Sequence, residues 1–137
     1  MKILALDLGT KTLGLAISDN LGMLAHPYRT IKYSNLDDLF KELSLIIEKE
    51  KVLELVLGLP KNMDNSLGFA SERSLEFEKE LRKRYNIPVT LIDERLSTKE
   101  AENILIKNNL RRDKRKEKID SMAAVIILEN YLNRRKG

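Results

Sequence analysis

The opening stretch, Lys2-Ile3-Leu4-Ala5-Leu6-Asp7-Leu8-Gly9-Thr10-Lys11, constrains the fold more than any other. Ile3 to Leu6 are uniformly apolar, the pattern of a central strand covered on both faces. An unpaired carboxylate is costly to bury, yet Asp7 stands at the carboxyl end of this run. Gly9 follows and permits a tight reversal. Leu13-Gly14-Leu15-Ala16-Ile17-Ser18 then reads as the returning strand of a hairpin. Two readings of Asp7 fit. It is a functional carboxylate at the end of a central strand, where sheets flanked by helices place their sites, or it caps the turn through its own backbone.

Further along, Met23 to Lys32 reads as a third strand, with Pro27 marking an edge or a bulge. His26, the only histidine, reads as packing or surface. Ser34 or Asn35 caps a helix that runs to about Lys51, with Asp37 and Asp38 in its first turn. Leu36, Leu39, Phe40, Leu43, Ile46 and Ile47 give that helix one buried face. Leu53 to Leu59 is a second apolar strand. The turn-rich loop from Pro60 to Gly68 leads into a helix from Phe69 to Tyr85. Small polar residues at a helix start can present N–H groups to an anion, although an ordinary strand-to-helix loop would look the same. Ile87 to Ile92 is the next strand and runs into Asp93, Glu94 and Arg95. Ser97 and Glu100 form a capping box for a helix that ends near Asn108. The last helix is expected from about Glu117 to Leu132. Asp120 shares a face of it with Ala123, Ala124 and Ile127. That face points the acid inward, and a first-turn acid also suits the helix dipole. The order of elements predicts an α/β protein with a leading antiparallel meander and later crossovers.

The chain of 137 residues suits one domain. It has no cysteine, so neither a disulfide framework nor a thiolate metal site is available. The expectation is a cytoplasmic protein: the apolar run before Asp7 is too short for a signal peptide, and no stretch reaches the roughly 20 apolar residues of a membrane span. The net charge of +4 is concentrated. Residues 107–118 hold seven basic side chains (Lys107, Arg111, Arg112, Lys114, Arg115, Lys116 and Lys118) against Asp113 and Glu117. This stretch reads as a connection, either a solvated loop or a surface for a phosphate backbone.

Asp7, the Asp93-Glu94 pair and Asp120 come from two strand ends and a helix. Carboxylates gathered without a counter-charge repel and raise one another's pKa. Divalent cations resolve that conflict, and Mg²⁺ takes oxygen ligands from carboxylates and substrate phosphates. Two such ions can activate water and stabilise the leaving oxygen in phosphodiester cleavage.

Four motifs in order resemble the YqgF/RuvX family of nucleases, which are similar to Holliday junction resolvases. They are Asp7-Leu8-Gly9-Thr10-Lys11 with Gly14, Ser18 and Asp19; Leu57-Gly58-Leu59-Pro60-Lys61-Asn62-Met63-Asp64; Asp93-Glu94-Arg95-Leu96-Ser97-Thr98 with Ala101 and Glu102; and Lys118-Ile119-Asp120-Ser121-Met122-Ala123-Ala124. The resemblance runs from Met1 to Leu132. It implies a ribonuclease H-like fold: a mixed five-stranded sheet with helices on both faces. It implies that Asp7, Glu94 and Asp120 bind metal and catalyse, with Asp93 a fourth ligand, and that the cofactor is Mg²⁺ or Mn²⁺ as a two-metal centre. Lys11, Lys61, Asn62 and Arg95 would belong to the substrate-facing rim, with Arg111, Arg112, Lys114, Arg115, Lys116 and Lys118 holding the nucleic acid. The implied substrate is structured RNA, the 5′ end of precursor 16S rRNA, within a ribosomal precursor particle; the alternative is branched DNA. Monomer and homodimer are both open. Two rivals stand beside it. One is a phosphotransferase of the sugar kinase and actin fold, which needs two such domains. The other is a module that binds RNA without cutting it.

Overall fold

The computed structural model describes residues 2–59, 69–93 and 112–136; at 69–71, 93, 112–121 and 135–136 it describes the backbone alone. The strands are β1 (Lys2–Leu8), β2 (Thr12–Ser18), β3 (Ala25–Lys32), β4 (Val52–Leu59) and β5 (Val89–Asp93). The helices are α1 (Leu36–Glu50), α2 (Phe69–Arg84) and α3 (Arg112–Lys136). The strands form one sheet in the order β3-β2-β1-β4-β5. β1, β2 and β3 make an antiparallel meander, while β4 joins β1 and β5 in parallel. This is the mixed five-stranded sheet that the resemblance implies, with the leading meander that the order of elements predicts and with β1 at its centre.

Alternation along the strands divides the core into two layers. Leu4, Leu6 and Leu8 of β1 pack with Leu39 and Phe40 of α1 and Phe77 and Leu81 of α2. Ile3 and Ala5 face the other way, where Ala16, Val56 and Ile92 meet Ala124, Ile127 and Leu128 of α3. Helices therefore cover both faces. On the first, the Phe40 and Phe77 rings stack with centroids 5.3 Å apart. The Arg84 guanidinium lies 4.2 Å from the centre of the Phe40 ring, a cation–π contact.

Pro27 satisfies both expectations made of it. β3 is an edge strand, and its register slips where Leu15 pairs with Arg29 but Ala16 pairs with Pro27. An edge position spares proline's missing donor. α1 is capped by Asn35, whose side chain accepts from the Asp38 N–H at 2.9 Å. It ends on Lys51 in the left-handed region at φ 54°. Leu36 departs from expectation: it is 48% exposed. It is the first residue of the helix, where Cβ bonds tilt back toward the N-terminus and off the sheet.

The larger correction concerns the basic stretch. Residues 112–118, expected as a connection, are the first turns of α3, which also runs past Leu132 to Lys136. Arg, Lys and Glu are good helix formers, and no glycine or proline interrupts 112–136. The helix expected from Thr98 to Asn108 lies outside the described residues. Among the described residues, no helix is long and apolar enough to cross a membrane.

Candidate active site

Asp7 is the penultimate residue of β1 and is half-buried. Its parity with Ile3 and Ala5 puts it on the face that α3 covers. Its cross-strand partner is Gly14 of β2. On the other side Leu6 pairs with Leu57, so the next residue of β4, Gly58, flanks it there. The acid thus sits between two strands that offer only glycine at its level, which leaves a gap in the side-chain layer near the end of the central strand.

α3 runs down the sheet across β2, β3 and β1. Its C-terminal part is tied to the strand starts: the Tyr131 hydroxyl bonds Glu54 of β4, and Leu132 and Asn133 lie beside Leu24 and Ala25 at the start of β3. Glu54 is level with Ile3. From Ile3 to Asp7 is about 13 Å of strand at the usual rise. From Tyr131 back to Asp120 is about 16 Å of helix. Counted at ideal rise, the lengths of strand and helix from this tie to Asp7 and to Asp120 are similar. Ala123, Ala124 and Ile127, which share its face, are fully buried, and two alanines let the helix sit close to the sheet.

The turn after Asp7 is compact. The Gly9 N–H donates to Thr12 O at 2.8 Å. A Cβ at Gly9 would stand 2.9 Å from Thr12 Oγ1 and 3.3 Å from Thr12 O, so any larger residue would force Thr12 to shift. Lys11 projects from this turn and is exposed. The turn is closed from behind by Tyr33, whose hydroxyl donates to Gly9 O at 2.8 Å and whose N–H donates to Lys11 O at 3.0 Å. Tyr33 follows β3 with no motif around it, so nothing in its spacing singles it out.

The other expected site residues divide cleanly. Asp93 ends β5, and Asp120, Arg112, Lys114, Arg115, Lys116 and Lys118 lie on α3, all with backbone alone described. Lys61, Asn62, Glu94, Arg95 and Arg111 lie outside the described residues. Among the described residues no three His, Cys, Asp or Glu side chains form a metal-holding group; of the acidic set only the Asp7 side chain is among them. His26 is exposed on edge strand β3, as expected of a surface residue. Asp19, in the β2–β3 loop, accepts from the Met23 and Leu24 N–H groups at 2.8 and 3.3 Å. The Met23 bond is the chief reason its carboxyl titrates below the usual carboxylate range; its role is to shape that loop.

A family model described as "RuvX: Holliday junction resolvase" matches residues 1–134. A protein of Bacillus pumilus (strain SAFR-032) named "Putative pre-16S rRNA nuclease" is 50% identical over 135 residues, covering 97% of this chain and 98% of the relative. One of the same name from Bacillus subtilis (strain 168) is 47% identical with the same coverage. Among solved structures, T. thermophilus RuvC in complex with Holliday junction substrate superimposes with a TM-score of 0.61 at 14% identity, covering 100% of this chain and 96% of that one. Fowlpox virus resolvase with substrate Holliday junction DNA gives 0.60 at 15% identity, covering 100% of both chains. The sheet order and the flanking helices define an α/β protein of the ribonuclease H-like fold, as in these resolvases. Within that class, the chain belongs to the RuvX family. Membership removes the two-domain phosphotransferase as a rival.

Proposed function

We propose that this chain cleaves structured RNA with the help of divalent metal ions, and that its substrate is the 5′ end of precursor 16S rRNA. The nuclease class follows from the family and from the names its relatives carry; the substrate, the metal and the residues are the proposal. One observation carries it: Asp7 stands at the end of the central strand, in a glycine-flanked gap on the face that α3 covers.

Asp7, Glu94 and Asp120 are the residues we assign to the metal. All are carboxylates, a donor set that fits hard cations such as Mg²⁺ or Mn²⁺ and offers nothing to softer ions. We favour Glu94 over Asp93 because the motif resemblance to the YqgF/RuvX family puts Glu94 in the three-acid set. The chemistry that bound divalent ions supply at such a site is activation of the attacking water and stabilisation of the leaving oxygen. The chain's part is to hold the ligands and align the backbone. Lys11 on its turn, with Lys61, Asn62 and Arg95, would meet phosphates beside the scissile bond. Arg111, Arg112, Lys114, Arg115, Lys116 and Lys118 would hold the strand further out, since residue 112 lies about 12 Å of helix beyond Asp120. We take the whole chain as one cytoplasmic domain that acts on a ribosomal precursor particle.

The family description favours a second substrate, branched DNA. Purified protein given precursor 16S rRNA and a four-way DNA junction in parallel, with Mg²⁺ or Mn²⁺, decides between them. Expected is cleavage of the RNA, abolished in Asp7→Asn. Cleavage of the junction alone would move the substrate to DNA. Undiminished cutting by Asp7→Asn would overturn the site, and no cutting of either substrate would favour a binding module.

A further inference from the structure

The nuclease reading leaves one well-placed side chain unused. Tyr33 makes two hydrogen bonds to the turn between Asp7 and Thr12, one from its hydroxyl to Gly9 O and one from its N–H to Lys11 O. Hairpin turns usually close through their own backbone; this one also borrows a hydroxyl and an N–H from the far end of β3. The phenol is half-buried against the α1 and α2 layer. Burial raises its pKa, the positive charge of Arg73 offsetting only part of the rise, so it remains a hydrogen-bond donor at neutral pH. Asp7 enters this turn two residues before Gly9, and Lys11 leaves it two residues after. Ligands and phosphate contacts must keep near-attack geometry, and a displacement of about 1 Å can cost on the order of a hundredfold in rate.

We propose that Tyr33 is a positioning residue for cleavage: its hydroxyl fixes the Gly9 carbonyl, and through it the strand end that carries Asp7. This rests on the assignment of Asp7 to the active site. Tyr33 also differs from Tyr85, another half-buried tyrosine whose hydroxyl makes bonds on the same side of the sheet. Tyr85 shares a hydrogen bond of 2.7 Å with Ser44 and reaches Phe40 O at 3.4 Å, on the α1 and α2 side and away from the turn.

The test compares Tyr33→Phe with Tyr85→Phe in the full chain. Each loses one hydroxyl and keeps its ring. Expected for Tyr33→Phe is a kcat lower by on the order of tenfold or more with KM for RNA little changed. The Mg²⁺ concentration for half-maximal rate should rise, and amide exchange at Gly9 to Thr12 should be faster. Tyr85→Phe should match the wild type in all of these while losing a similar amount of thermal stability. Wild-type kcat, metal dependence and exchange in Tyr33→Phe, beside an inactive Asp7→Asn, would overturn the positioning role alone. A Tyr33→Phe that changes only in melting temperature, as Tyr85→Phe does, would overturn it too. Full activity in Asp7→Asn would overturn the site assignment and the role of Tyr33 with it.

Discussion

The two faces of the sheet are built differently. The α1 and α2 face is filled with leucines and two stacked phenylalanines. The α3 face uses Ala5, Ala16 and Ala124 where its opposite has Leu4, Leu15 and Phe77, and at the level of Asp7 it offers only Gly14 and Gly58. Large side chains bury more area per residue and hold a sheet together. Small ones let a helix lie close and leave room where its approach meets the strand ends. The bulky face therefore carries most of the stability, and the small-residue face leaves the room in which we propose the site.

The sharpest way to break this division is to damage the bulky face. Phe77 is 3% exposed and stacks on Phe40. Phe77→Ala should cost about 3–5 kcal/mol in urea unfolding, yet the molecules that stay folded at low temperature should cleave at the wild-type rate. A fall in rate per folded molecule would mean that the two faces are not separable.

The converse is Ala124→Leu. Ala124 is fully buried between α3 and the sheet. Overpacking there should cost about 1–3 kcal/mol, less than Phe77→Ala, but should push α3 outward and reduce cleavage far more. If the two variants order the same way in stability and in rate, close approach of α3 is irrelevant to the site.

Much of this architecture is legible in the sequence because each signal has one physical source. Continuous apolar runs mark β1 and β4 as strands covered on both sides, and Pro27 marks an edge with a bulge. Asp7 stands out because a carboxylate contradicts the run that it ends. The first turns of α3 do not stand out. Seven bases within 107–118 read as a solvated connection when charge is weighed above helix propensity, and Arg, Lys and Glu propagate a helix well. Tyr33 is invisible for a different reason: it reaches Gly9 across 24 residues, and no local pattern encodes a contact of that range. The glycine gap beside Asp7 needs the strand register, which no single strand carries. Glu94, Lys61, Asn62 and Arg95 rest on the motifs that name them.

The helical start of α3 sets stability against binding on the small-residue face. Basic residues in the first turns of a helix oppose its dipole. Lys114→Glu with Arg115→Glu should therefore stabilise the protein by about 0.3–1 kcal/mol per position at low salt. The same variant should weaken nucleic-acid binding, and the salt slope should drop by roughly 0.7 to 0.9 for each phosphate that is no longer neutralised. Tighter binding, or an unchanged slope, would return 112–118 to the status of a solvated surface.

The smallest effect belongs to the end of the sheet away from the site. Glu50 accepts from Lys2 Nζ at 2.9 Å and from the Tyr28 hydroxyl at 3.0 Å. The bond from Lys2, then that from Tyr28, holds its carboxyl below its ordinary 4.5. A depressed carboxylate stabilises the fold above its unfolded pKa, and the gain fades as pH falls through the folded value. Glu50→Gln should thus lower stability at pH 7 by no more than about 1 kcal/mol, and the difference should vanish well below pH 4.5. A difference that grows with acidity would reverse the assignment, and cleavage should be unaffected throughout.

The most direct test of the acid site is thermal unfolding with EDTA and with Mg²⁺, for the wild type and for Asp7→Asn, Glu94→Gln, Asp120→Asn and Asp93→Asn. Metal that binds only the folded state should stabilise the wild type by roughly 2.7 kcal/mol at a hundredfold excess over its dissociation constant. Asp7→Asn, Glu94→Gln and Asp120→Asn should each lose most of that response, and Asp93→Asn should keep it. Asp120→Asn should also melt higher than the wild type in EDTA, because one of three mutually repelling charges is gone. A wild type that Mg²⁺ does not shift, together with an Asp120→Asn that melts lower in EDTA, would contradict the gathering of Asp7, Glu94 and Asp120 around a metal.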